Sequence, residues 1–538
     1  MGGNIKYQPL FQKPRLSRGL KRFQCGRFKI IVIGVLTISL LVVAVRVISV
    51  GRDFNSPVLT VERPQRHIRL TTIRNIQNEF GDMFDVELAT ASIESSKPHE
   101  WKLTDVEESH IFSAYLDTRP EVILDHGHND APKEITWAMI RIIAILPSNL
   151  TSAPLTCVYK YRNNGDYSED SFTLRKRGAT SVQQAAAVER HGMKYNAFFV
   201  LCDLKIDTET TPETFYLKKH IPYEITFTDR NLDDPGQVKS DSFVRILYPE
   251  NGISRSEVTT DFMAVCVGVS RNNFDRALNL VEYIEFYRMM GVGRFTFYNN
   301  SISARANAVL EYYRDRGVVD VMNWDLPPYY VSERTLRVDG MFAALNDCLY
   351  RSSFHKKFKY VAIVDVDEFI VPRKHDNFES MMRYLDPVKP DGKKGKQASF
   401  VFRNMFFYLM LDDDPVTLAP DVPKLLTHSK TSRWEGISPW SVRSKYVVRG
   451  RDAVELGNHQ TWQLRNTCSP FSLRYQEYAV DPAIAASQHY RYCETNIETC
   501  WQRRTLRDRT AHKFTKLLGD KVAAACREIA NDSCSNGD

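Results

Sequence analysis

Lys359-Tyr360-Val361-Ala362-Ile363-Val364-Asp365-Val366-Asp367-Glu368-Phe369-Ile370-Val371-Pro372 is the stretch on which the reading of this chain turns. Tyr360 to Val364 is a short, β-rich apolar run that stops abruptly at Asp365, Val366 and Asp367, as a buried strand does when its carboxyl end faces a ligand crevice. Two carboxylates one residue apart then stand at a strand mouth. Like charges gathered there are costly unless something positive neutralises them, and a divalent cation is the simplest counter-charge. Oxygen ligands favour Mg²⁺ or Mn²⁺, ions that leave coordination positions open for the phosphates of a substrate. The stretch therefore predicts a metal-bound nucleotide diphosphate at a strand end. Asp-x-Asp is short and common in solvated turns. Its weight here comes from the buried strand before it and the βα units before that.

Those units begin at Asp261. Phe262 to Val269 reads as a buried strand, and Asp275 to Met290 as a helix with Leu280, Val281, Ile284 and Tyr287 on one face and Gly291 to stop it. Phe295 to Tyr298 is the next strand, Ala304 to Arg316 the next helix and Val318 to Trp324 the third strand. Gly340 to Ser352 is the helix that leads into the quoted stretch. Strands alternating with helices predict a parallel sheet with right-handed crossovers. Ligands of such sheets bind beyond the strands' carboxyl ends, which gathers Arg271, Asn299, Asn300, Asp365 and Asp367 on one rim.

Downstream come a helix around Phe378 to Leu385, a basic loop from Lys389 to Lys396 without P-loop spacing, and a strand from Ser399 to Phe407. Thr431 to Lys445 holds Trp434, Trp440, Ser441 and Arg443, a density of aromatic and polar groups suited to stacking on sugar rings, though also to ordinary packing. Two histidines, His459 and His489, are candidates to complete a metal site begun by Asp367, because imidazole is a good Mn²⁺ ligand.

Working outward to the N-terminus, residues 1–29 carry eight basic side chains (Lys6, Lys13, Arg15, Arg18, Lys21, Arg22, Arg27 and Lys29) and no acid. Without them the +7 chain has 64 basic against 65 acidic residues, so the surplus belongs to this tail and argues nothing for nucleic acid. Ile30 to Val50 carries no charge but Arg46, and its 21 residues suffice to span a bilayer. Positive charge crowding the leading flank predicts a cytoplasmic tail 1–29, a signal anchor 30–50 and a translocated remainder. A cleaved signal peptide fits less well, given the long basic lead and no clear small-x-small site.

Residues 51–100 read as a polar stem with a short helix near Asn78 to Val86. Residues 101–250 read as a small antiparallel β-sandwich, with segments such as Ile111 to Tyr115, Thr136 to Leu146 and Ala197 to Leu204 separated by turn clusters. The α/β domain is placed at 258–510, with a helical tail at 511–538. Nine of the ten cysteines follow the anchor, in an oxidising compartment. Cys157 with Cys202 is a plausible bridge, Cys266 in its apolar run is a candidate buried thiol, and the four C-terminal cysteines leave their pairing open. Asn149 is the best glycosylation sequon.

Taken together, these motifs resemble glycosyltransferase family 92, formerly domain of unknown function 23. The resemblance is carried by Phe112 to Arg119, Ala344 to Arg351, Tyr360 to Pro372, Phe400 to Arg403, Ser444 to Arg449 with Gly457-Asn458-His459, and His489-Tyr490-Arg491, in the family's order over residues 110–495. Gly450 departs from the family, which usually has Pro there. The resemblance implies a Rossmann-like GT-A fold and a type II Golgi membrane enzyme. It implies transfer of galactose from UDP-galactose in β-linkage to a galactose- or fucose-terminated glycan. Asp367 would hold Mn²⁺ (or Mg²⁺), with Asp365 on the metal or the ribose and His489 or His459 as a third ligand. Arg271, Asn299 and Asp347 are expected at the uridine and ribose. A single displacement also needs a carboxylate base; Glu435 is the first candidate, with Asp412 to Asp414 behind it. The alternative is a membrane-anchored carbohydrate-binding protein on a degenerate transferase fold. A haloacid-dehalogenase phosphatase fits poorly, since it wants Thr or Val where Phe369 stands. Acceptor, linkage and oligomeric state are not written in the sequence.

Overall fold

A computed structural model describes residues 62–91, 100–126, 133–152, 154–162, 172–185, 192–215, 220–254, 259, 261–330, 335–388, 395–416, 418, 422–440, 442–465, 475–493, 502–529 and 534. The basic tail and the 30–50 anchor lie outside these residues, as do most of the 389–396 loop and Ser441. No described helix is long and apolar enough to cross a membrane. The chain divides into two compact units, the first being 1–65 with 468–470 and the second 66–467 with 471–538. The second holds every sheet.

Its centre is a seven-stranded sheet. Four strands are parallel: β1 (Asp261–Ser270), β2 (Arg294–Asn299), β3 (Val319–Asn323) and β4 (Phe358–Ile363). They lie in the order β3-β2-β1-β4, so the chain winds outward from β1 and then crosses to its other side. The crossovers are α1 (Ala277–Met289), α2 (Ala304–Asp315) and α3 (Met341–Tyr350). Ser303 starts α2 by accepting a hydrogen bond from the Ala306 amide.

Beyond β4 the sheet is not parallel, which corrects the simple reading. The strand predicted from Ser399 to Phe407 breaks at Arg403 into β6 (Gln397–Phe402) and β7 (Asn404–Tyr408), which follow β5 (Glu368–Pro372) in sequence and join different sheets. In sequence β8 (Ser432–Trp434) and β9 (Lys445–Arg449) come next, then β10 (Gln476–Val480) and β11 (Ala485–Arg491). β9 runs antiparallel between β4 and β6, and β10 closes the edge. A second sheet has the order β5-β11-β7-β8 with Thr505–Arg507 at its edge. At Gly450, just past β9, an added Cβ would run into Ser353, so this position leaves no room for the family's Pro.

In the N-terminal half, a nine-stranded sheet has eight strands along one path and the short strand Lys102–Leu103 beside it. The strands Thr156–Arg162 and Tyr195–Asp207 are five steps apart along that path, roughly 24 Å in a flat sheet at ~4.8 Å per step. Yet Cys157 and Cys202 are disulfide-bonded across 6.1 Å between Cα atoms. The sheet therefore doubles back on itself. The stem reading needs correction over 62–91, because a helix runs over Glu62–Ala91 and buries Ile73, Ile76, Phe80 and Phe84 against this half, with Phe84 stacked on Trp137 at 4.0 Å. The polar character of that segment hid four apolar residues at helical spacing.

All ten residues of α3 are buried, since it has the N-terminal sheet on one side and the parallel sheet on the other. Cys266 of β1 is bonded to Cys348 of α3, which corrects the reading of Cys266 as a free thiol. Cys526 pairs with Cys534, and Cys493 is also disulfide-bonded. The C-terminal helix, Thr515–Glu528, is part of the α/β core through Leu518 and Val522.

Candidate functional site

β1 and β4 are neighbours whose connections leave in opposite directions, and the crevice at their carboxyl ends is where α/β sheets hold ligands. Asp365 and Asp367 stand in the short link from β4 to β5 at that crevice. Their backbone is pinned from several sides. The Tyr283 hydroxyl donates to the Val364 carbonyl at 3.1 Å and the Tyr287 hydroxyl to the Glu368 carbonyl at 3.0 Å. The Tyr490 amide donates to the Asp367 carbonyl at 2.8 Å, and the Asp365 amide to the Glu368 carboxylate at 3.1 Å. Gly268 on β1 makes room for the first aspartate, because a Cβ there would lie 2.9 Å from Asp365 Oδ1.

Antiparallel pairing of β5 with β11 sets His489 directly opposite Glu368. The imidazole bridges two acids, with Nδ1 at 3.1 Å from Glu368 Oε1 and Nε2 at 3.5 Å from Asp367 Oδ2. β9 contributes from the same rim because it is antiparallel to β4, so its first residue, Lys445, arrives where β4 ends. Its ammonium lies 2.7 Å from Asp365 Oδ2, 3.1 Å from Glu368 Oε2 and 3.4 Å from Asn458 Oδ1. The result is one chain of groups, Asp365, Lys445, Glu368, His489 and Asp367.

Exposure divides this chain. Glu368 and Lys445 are each 1% exposed, whereas Asp365 is 47% and Asp367 32% exposed. Burial disfavours both charged forms in the covered pair. It raises the Glu368 carboxyl above its ordinary range against the pull of Lys445 and His489. For Lys445 the paired acids outweigh burial and hold the ammonium firmly protonated. Burial also pushes Asp367 up, but His489 and Lys445 more than offset it and keep its carboxyl below the usual range.

Among the described residues no group of three or more His, Cys, Asp and Glu is set as a ready metal cage. The donor set nevertheless fits an ion of the Mg²⁺ or Mn²⁺ class. Bonds of about 2.1 Å leave adjacent ligands on one such ion about 3 Å apart, close to the 3.5 Å between Asp367 Oδ2 and His489 Nε2. Two protein ligands with open positions is also how these ions sit when substrate phosphates supply the rest.

The other predicted residues fall into three groups. Arg271, Asn299 and Asn300 reach the predicted rim: Asn299 ends β2, Asn300 donates to the Trp324 carbonyl at 3.1 Å, and Arg271 lies 3.4 Å from Asp339. Trp434 lies under Arg503, whose guanidinium is 4.7 Å from its ring, and Trp440 is 45% exposed. Phe406 pairs with His489 across β7 and β11, with rings 5.5 Å apart, so an aromatic row runs from the acid cluster toward Trp434 on β8.

Three expectations need correction, those at Asp347, His459 and Asp414, and Glu435 stands apart from the acid cluster. Asp347 is fully buried, accepting hydroxyls from Ser113, Tyr115 and Tyr298 at 2.5, 2.6 and 2.6 Å and paired with Arg351 at 3.1 Å, so no lone pair faces a nucleotide. His459 touches the cluster through Asn458 and Lys445, and burial holds its imidazole neutral, with a pKa of about 3; the ring beside Asp367 is His489's. Glu435 is half-exposed, 3.5 Å from Arg504, just past β8 and so two strand spacings, about 10 Å, from β11. Asp414 is bound by Arg509 and Thr431 and held well below the carboxylate range by that arginine, a poor state for a base.

Glu368, Lys445 and Gly268 were missed. Glu368 was legible as the acid after Asp-x-Asp. Lys445 and Gly268 needed the strand order, which no local pattern supplies.

Residues 261–521 match the model for glycosyltransferase family 92. Over 211 residues the chain is 25% identical to the β-1,4-galactosyltransferase galt-1 of Caenorhabditis elegans, covering 38% of this chain and 45% of that protein. It is 29% identical over 119 residues to the glycosyltransferase family 92 protein F13G3.3 of the same organism, 21% of this chain and 23% of that one. The chain thus spans less than half the length of these relatives. Among solved structures it is similar to S. aureus TarS 1–349 (11% identity, 36% of this chain, 47% of that one, TM-score 0.20). It is also similar to the apo WbbM bifunctional glycosyltransferase (10% identity, 27% and 23%, TM-score 0.16).

Proposed function

We propose, from the premise that residues 261–521 of this chain are a glycosyltransferase family 92 domain, that the protein transfers galactose from UDP-galactose to a galactose- or fucose-terminated glycan, inverting to a β-linkage. The observation that carries the reading is the pair Asp365 and Asp367 at the crevice between β1 and β4, with His489 beside Asp367. Similarity to the nematode β-1,4-galactosyltransferase supports galactose as the sugar. The β3-β2-β1-β4 order supports a GT-A arrangement.

Asp367 and His489 are the residues that would hold a divalent cation, Mn²⁺ or Mg²⁺. Bound there, the ion would offset charge developing on the departing diphosphate. Glu368 orients His489 from behind, as carboxylates commonly do for metal-bound imidazoles. Arg271 and Asn299 line the rim toward the nucleoside, and Phe406, Trp434 and Trp440 offer faces for the acceptor sugar. The general base is a carboxylate other than Asp414. Disulfides after the 30–50 segment support an oxidising lumen, hence a type II Golgi enzyme.

The direct test is transfer of labelled galactose from UDP-galactose across a panel of glycans by the full-length chain. Product that disappears with Asp367→Asn supports the reading. No transfer to any acceptor, with sugar binding intact, would sink it.

A further inference from the structure

The acid cluster contains more negative charge than one cation site needs, and the surplus is arranged. Three carboxylates, Asp365, Asp367 and Glu368, share the cluster with one ammonium, and only Asp365 and Glu368 are paired with it. Lys445 has three N–H donors, and three acceptors lie around it: Asp365 Oδ2, Glu368 Oε2 and Asn458 Oδ1. The amine is 1% exposed, so releasing Asp365 would leave a buried charge short of a partner. An ion bound at Asp365 Oδ2 would also sit no more than about 5 Å from this ammonium and be repelled by it. Meanwhile Asp365 Oδ1 lies over Gly268, in space that only a glycine leaves.

We infer that Lys445 is a positioning residue that sorts the two aspartates: it takes Asp365 out of the cation's ligands and leaves that carboxylate's other oxygen for a hydroxyl of the nucleotide sugar. Asp367 and His489 are then the protein's ligands to the ion. Glu368 serves both sides, as the second acid on Lys445 and the partner of His489 Nδ1. This rests on the proposed function, since it concerns the same cation and donor.

The test is a titration of Mn²⁺ into the full-length chain with UDP present, read by electron paramagnetic resonance. The informative variant is the double one, Asp365→Asn with Lys445→Met, which deletes the ion pair without changing net charge. Its Mn²⁺ affinity stays within about threefold of wild type, while Asp367→Asn weakens binding by more than about tenfold. Lys445→Met alone tightens Mn²⁺ binding, because Asp365 becomes available as a ligand, and Lys445→Arg restores the wild-type value. In turnover, the double variant raises KM for the donor more than it lowers kcat.

The inference is overturned if the double variant loses Mn²⁺ as severely as Asp367→Asn does. Should it fail to fold, Gly268→Ala decides: crowding Asp365 Oδ1 raises KM for the donor and leaves Mn²⁺ binding alone, and a matching loss of Mn²⁺ overturns the claim. If Asp367→Asn binds Mn²⁺ like wild type, the proposed function itself has failed and the inference goes with it.

Discussion

Two aspartate sites flank β4 and β1, and they differ in nearly everything that matters for chemistry. Asp347 lies in the seam between the doubled-back N-terminal sheet and the parallel sheet, fully buried, with three hydroxyls and a guanidinium on its oxygens. Asp365 and Asp367 lie at the open rim, partly exposed, with a lysine and a histidine as partners. A saturated carboxylate fastens elements together. An unsaturated one, held in place by its backbone and its neighbours, is free to bind.

The comparison breaks most sharply at Asp367. Asp367→Asn should reduce transfer about a thousandfold while the melting temperature hardly moves, which activity assays beside thermal melts would check. The mirror image is Asp347→Ala. It strands Arg351 in the seam and should cost about 3–5 kcal/mol of stability, seen as a lower urea midpoint, with kcat retained below the transition. Replacing both Cys266 and Cys348 by alanine removes a bond across the same seam, and about 2–4 kcal/mol is expected to go with it. Phe84→Ala tests whether the 62–91 helix belongs to the body, with a loss of about 3 kcal/mol and no change in KM.

The smallest effect concerns acid. Asp508 is paired with Arg373 and Arg433, and these with the Thr510 hydroxyl outweigh the upward push of burial to hold its pKa at about 2. Because the folded value is the lower one, the stability it adds is present above the ordinary carboxylate range and is lost as pH falls toward 2. Denaturation curves from pH 5 down should therefore be shallower in Asp508→Asn.

Much of the α/β half was readable because its signals are local. Strands β1 to β4 and helices α1 and α2 fall within a few residues of the apolar runs that announced them, and the rim followed from their alternation. Asp347 was misread because a motif shows which residues recur, not whether their oxygens are already taken. Residues Phe112 to Arg119 share in that lesson. Tyr115 serves Asp347, while Asp117 and Arg119 form a buried ion pair at 2.7 Å, so this stretch builds the seam and not the site. Lys445 escaped notice for a different reason. Only the antiparallel insertion of β9 beside β4 brings it to the acids, and nothing in Ser444 to Arg449 encodes that pairing.

In the proposed function, Asp367 and His489 present a cation to a nucleotide's diphosphate. Calorimetric titration of UDP into the full-length chain tests it most directly, with Mn²⁺ and then with a chelator. Heat of binding is expected with Mn²⁺, lost when the ion is removed and regained when it is restored. Equal binding of UDP in both conditions would contradict it.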